Sequence, residues 1–60
     1  MITARQAIKA CILSEFLISK GLPIRVFRYS ETERLIRIEA GFSFKQIRIV
    51  INDKGKAKYV

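Results

Sequence analysis

Gly21 and Pro23 divide this chain into two parts that cannot share one secondary structure. Proline has no N–H to give to a helix, so a helix that reaches this point ends here. Glycine just past a helix end takes the left-handed conformation that closes the last turn. Leu22 can then fold back onto Leu17, as a Schellman stop requires. The start of the helix is marked as well. Thr3 and Gln6 have the spacing of a capping box, in which each side chain satisfies the other's backbone N–H. The spacing predicts a helix over residues 4–20.

Beyond Pro23 the chain is rich in β-branched and aromatic residues, which predicts strands over residues 24–30, 34–40, 45–52 and 56–59. Asn52-Asp53-Lys54-Gly55 reads as a turn with glycine in the left-handed position. Face matching suggests the register. The last hairpin pairs Ile51 with Ala57 and Ile49 with Tyr59. A loop over residues 31–33 pairs Val26 with Ile38 and Arg25 with Glu39. A loop over residues 41–44 sets Ile38 opposite Ile47. One sheet face then carries Ile24, Val26, Ile36, Ile38, Ile47, Ile49, Ile51 and Tyr59. It is expected to pack on Ala4, Ala7, Ile8, Cys11 and Ile18 of the helix. The fold class is α+β: an N-terminal helix on a three- to four-stranded antiparallel sheet, in the order α-β-β-β-β.

At 60 residues the chain makes one domain over its whole length, 1–60. A chain this short buries only roughly 60% of its unfolded surface, so such domains usually add a disulfide, a metal or a partner subunit. Cys11 is the only cysteine and there is no histidine, so neither a disulfide nor a zinc site is expected. A homodimer is the remaining source of stability. Leu13 and Phe16 interrupt the polar sector of the helix formed by Arg5, Gln6, Lys9 and Lys20, and they are the candidate oligomer interface. The lone cysteine, read as buried filler, fits a reducing cytoplasm. The apolar run over residues 10–18 is broken by Ser14 and Glu15 and is too short to span a membrane.

Chemistry on this chain is not expected to be catalytic. The commonest general base is absent, the carboxylates are scattered, and no phosphate-binding loop occurs. No cofactor is implied. Twelve Lys/Arg against five Asp/Glu give a net charge of +7, which favours an anionic partner. On the register above, the second sheet face carries Arg25, Phe27, Tyr29, Arg37, Arg48, Lys56 and Lys58. Rings beside arginines on an open sheet suit RNA or single-stranded DNA, with bases stacked on rings and phosphates on guanidinium groups. Arg37 would lie directly opposite Arg48, where an anion would relieve their repulsion. The competing reading is a homo-oligomeric interaction module, an inhibitor or assembly subunit, that binds an acidic protein partner.

The helix boundaries are testable at once. Thr3→Ala is expected to cost about 1 kcal/mol through the lost cap. Gly21→Val is expected to cost at least as much, because position 21 requires positive φ. Urea midpoints unmoved by both changes would place the helix ends elsewhere.

Overall fold

The computed structural model describes residues 1–60 as one helix followed by four strands. Helix α1 spans Ala4–Ser19, and strands β1 (Ile24–Ser30), β2 (Leu35–Phe42), β3 (Lys45–Ile51) and β4 (Ala57–Tyr59) form one antiparallel sheet in sequence order. Both helix ends are as expected. The Gln6 N–H donates to Thr3 Oγ1 at 3.1 Å, and the Thr3 N–H donates to Gln6 Oε1 at 3.0 Å. At the other end Gly21 has φ 78°, and the Leu22 N–H reaches the Leu17 carbonyl at 3.0 Å. Leu17 and Leu22 are both buried in the core.

The last hairpin also follows the sequence. Ile49 pairs with Tyr59 and Ile51 with Ala57, around a turn in which Gly55 has φ 81°. A Cβ at Gly55 would sit 3.0 Å from the Cβ and carbonyl oxygen of Arg5, so the turn packs directly on the first turn of α1.

The other two registers differ from expectation. In β1–β2 a bulge lies between Ile24 and Val26, so the expected register survives only near Ile24, which pairs with Ala40. From there to the turn, Val26 pairs with Glu39, Phe27 with Ile38, Arg28 with Arg37 and Tyr29 with Ile36. The turn therefore takes residues 31–34, and Arg34 leaves the strand with φ 56°. One extra residue in a strand inverts every side chain beyond it. Phe27 and Tyr29 consequently lie on the helix side, and Val26 and Arg28 lie on the open side. Between β2 and β3 the pairing is shifted by two residues, with Ile38 opposite Ile49 and Ala40 opposite Ile47. A shift of two preserves the faces and changes the partners. The longer pairing, out to Phe42 and Lys45, leaves only Ser43 and Phe44 in the turn.

The core lies between α1 and the sheet. Ala10, Leu17 and Leu22 pack with Ile36, Ile38, Ala40, Ile49 and Ile51, and Leu13, Ile24, Tyr29 and Ile47 close its margin. The helix presents the stripe Gln6, Ala10, Leu13, Leu17 to the sheet, not the expected Ala4, Ala7, Ile8, Cys11 and Ile18. At 3.6 residues per turn this is a rotation of roughly 120°. Cys11, read from sequence as buried filler, is exposed.

Gln6 explains the rotation. It is fully buried, and each amide atom has a partner. Its Nε2 donates to the Arg34 carbonyl at 2.8 Å and to the Ile51 carbonyl at 3.3 Å, while its Oε1 completes the capping box. Thr3 Oγ1 adds a bond to the Asp53 carbonyl at 2.8 Å. The first helical turn is thus tied to the β1–β2 turn and to the β3–β4 turn. Gln6→Leu removes the donors to Arg34 and Ile51 and is expected to cost about 1–3 kcal/mol. Gln6→Glu is expected to cost more, because a buried carboxylate would face two carbonyl oxygens. A urea titration that finds both variants as stable as wild type would deny the clasp any structural role.

Candidate functional site

Two surfaces of this domain have distinct chemistry, and they lie on opposite sides. The open face of the sheet is cationic. Arg28 on β1 is directly opposite Arg37 on β2, Arg37 is opposite Val50 on β3, and Val50 is opposite Lys58 on β4. These four residues form one rung across the whole sheet. With strands about 4.8 Å apart, the rung spans about 14 Å and carries three cations. Val50 is only 7% exposed, although it is on the open face. It lies in a shallow depression with Arg37, Arg48 and Val60, an apolar floor beneath charged heads.

The neighbouring rung runs Val26, Glu39, Arg48. Here Arg48 Nε is 3.8 Å from Glu39 Oε1, and both side chains are substantially exposed. Arg37 Nη2 reaches Glu33 Oε1 at 3.0 Å. Arg28, Lys56 and Lys58 have no acidic partner. Exposed pairs of this kind contribute roughly 0–1 kcal/mol, so the carboxylates offset the charge of the face only in part.

The residues expected to form the site divide accordingly. Arg37, Arg48 and Lys58 share the open face, and Lys56 is exposed beside it where the last turn enters β4. The opposition of Arg37 and Arg48 is not present, because the shift of two residues puts Glu39 opposite Arg48. Arg28, overlooked in the sequence, takes that place. Arg25 is exposed in the bulge, off the rung. Phe27 and Tyr29 belong to the helix side. Phe27 borders an apolar groove with Ile2, Ala7 and Cys11, and the Tyr29 hydroxyl donates to the Met1 carbonyl at 3.0 Å. The cationic face therefore has no aromatic platform. The most exposed ring, Phe44, is at the tip of the β2–β3 hairpin, where it stacks on Phe42 with centroids 5.6 Å apart. Both rings follow Gly41 in a segment read as a loop, where alternation gave no sign of them.

The opposite surface is the outer side of α1. Ile8, Ile12, Phe16 and Ile18 are 61%, 56%, 50% and 60% exposed. Phe16 is therefore where the sequence put it, with the Lys20 ammonium 5.5 Å from its ring centroid. Leu13 is not; it is half-buried, packs on the core and borders a groove with Tyr59. The two grooves flanking the helix hold about 220 and 230 Å³, below the ~300 Å³ at which ligand pockets begin. No group of three or more Cys, Asp or Glu side chains is placed to hold a metal ion. No helix is long and apolar enough to cross a membrane.

Like charges directly opposed across strands are destabilising, and opposite charges stabilise by roughly 0.2–1 kcal/mol. Arg28→Glu is accordingly expected to raise the urea midpoint of the free protein by pairing with Arg37. A midpoint that falls would show that the two arginines do not repel each other.

Comparison with curated proteins and with solved structures gives no match. Residues 1–58, which take in the helix, three whole strands and most of the fourth, match the family model described as Domain of unknown function (DUF6888), and the chain belongs to that family.

Proposed function

We propose that this chain is a non-catalytic nucleic-acid-binding protein of the cytoplasm, and that its open sheet face takes the phosphate backbone. The observation that carries the reading is the rung Arg28, Arg37, Val50, Lys58. Two guanidinium groups are held side by side by the strand register, with Cβ atoms about 5 Å apart. A bound phosphate between them replaces repulsion with two charge-assisted hydrogen bonds. A backbone laid across the strands meets three cations in the rung and Arg48 beside it. Lys56, just before β4, extends the charge beyond the rung, giving a strip broader than one contact.

The position of the aromatic rings sharpens the proposal. With Phe27 and Tyr29 on the helix side, the face has phosphate ligands and no stacking surface. Recognition then follows charge density, and bases contribute little. This favours duplex and single strand alike, without base preference. The exposed, unpaired thiol of Cys11 supports the reducing compartment.

A fluorescence-anisotropy titration of single- and double-stranded oligonucleotides at several salt concentrations tests this. Both forms are expected to bind at low salt and to release as salt rises. Arg28→Gln and Lys58→Gln are each expected to lower the salt slope by roughly one. Phe27→Ala is expected to leave affinity unchanged, which separates phosphate binding from base stacking. A wild-type chain that binds neither form would sink the proposal and turn the cationic face over to an acidic protein partner.

A further inference from the structure

We infer that the outer face of α1 is a two-fold interface, and that its occupant is a second, antiparallel copy of the same helix. The chain exposes more surface than its size predicts. A folded monomer of 6.9 kDa has about 4,000 Å² by mass scaling, against 4530 Å² here. The excess of roughly 500 Å² approaches the ~600–800 Å² that each partner contributes to a stable interface of modest or standard size. Much of the exposed apolar area is on one strip, formed by Ile8, Ile12 and Phe16 on α1 and continued by Ile18 and Phe27 at its side. The pole of a helix pointing away from its sheet is ordinarily its polar side.

Charge indicates what covers the strip. Only Arg5 and Glu15 are charged near its centre line, and neither has an ion-pair or hydrogen-bond partner within the chain. Ile8 and Ile12 lie two residues on either side of position 10, and Arg5 and Glu15 lie five residues on either side of it. An antiparallel copy centred at position 10 therefore sets Ile8 of each chain at the level of Ile12 of the other. The same operation brings each Arg5 level with the Glu15 of the other copy, twice, as two-fold symmetry requires. The strip is self-complementary in both apolar position and charge. An unrelated acidic or lipid partner would have no use for this arrangement.

The inference does not depend on nucleic-acid binding, and its test contains no ligand. Sedimentation velocity of the full chain at tens of micromolar and low salt is expected to show a dimer. Ile12→Glu is expected to give a monomer. Arg5→Glu and Glu15→Arg are each expected to weaken the dimer about tenfold, because each sets like charges level across the interface. The double variant R5E/E15R is expected to recover to within about threefold of wild type. Both reversals agree with the helix dipole, acid near the N-terminus and base near the C-terminus, so the monomer should keep its fold. Circular dichroism at the same concentrations verifies this. A wild-type monomer overturns the inference, as does a monomer that floats with anionic lipid vesicles. A double variant no tighter than the single ones overturns the antiparallel pairing.

Discussion

The fully buried Gln6 amide sets the orientation of the helix, and with it the character of the outer helix surface. Its bonds to the Arg34 and Ile51 carbonyls connect three segments: the first turn of α1, the β1–β2 turn and the end of β3. A polar side chain in the core stabilises only when each of its atoms is satisfied, and then it admits one geometry where apolar contact would admit several. Apolar contact alone would not orient this helix. Ile8, Ile12 and Ile18 would cover the sheet as well as Leu13 and Leu17 do. Gln6 can reach both carbonyls only if its own side faces inward, and that choice sends the isoleucines outward. The left-handed Arg34 belongs to the same constraint. Such a conformation costs a non-glycine residue of order 1–2 kcal/mol, and it is adopted where the carbonyl accepts the Gln6 bond at 2.8 Å.

The second determinant is the bulge at Arg25. With one extra residue between Ile24 and Val26, β1 keeps its apolar start against Ala40 and inverts its remainder. The helix side gains Tyr29, which packs at the core margin, and Phe27, which remains half-exposed beside the helix. The open side gains Arg28 opposite Arg37. A regular strand would have put the rings on the open side and Arg28 against the core, where no carboxylate waits for it. The placing of both rings on the helix side and the cationic concentration on the outside thus follow from the same one-residue insertion.

Much of this architecture was legible in the sequence because its signals are local. A capping box, a Schellman stop and an Asn52–Gly55 turn are each contained within a few residues, and all three are present as read. What could not be read depends on choices between distant groups of similar chemistry. The rotation of α1 was illegible because the helix is apolar on nearly every side, and Gln6 resembles a surface residue until its distant carbonyl partners are known. The bulge was illegible because a continuous β1 gave an attractive alternative, Val26 against Ile38 and Arg25 against Glu39. The β2–β3 register was missed by two residues because isoleucine at positions 47, 49 and 51 pairs equally well with either neighbour. Arg37, Arg48 and Lys58 kept their face through that shift, since parity survives a slip of two. Phe27 and Tyr29 lost theirs, since it does not survive a bulge of one.

The two proposals have a geometric consequence when taken together. The cationic rung and the outer side of α1 are on opposite sides of a molecule two layers thick. Two copies joined through α1 would stack as sheet, helix, helix, sheet, with each open face directed outward. Helix–helix contacts place axes 8–10 Å apart, and a helix lies about 10 Å from the sheet it covers, so the two cationic faces would stand roughly 30 Å apart. Facing away from each other at that separation, they cannot grip one short duplex from both sides. Each would engage its own segment, and the dimer would act as a bridge between two stretches of backbone. A bridge gains when both segments belong to one long molecule, because the second contact is then intramolecular and its effective concentration depends on the intervening length. It gains nothing on an oligonucleotide long enough for only one face. A dependence of affinity on nucleic-acid length beyond a single site, lost when Ile12→Glu separates the copies, is therefore the behaviour that would join the two surfaces into one function.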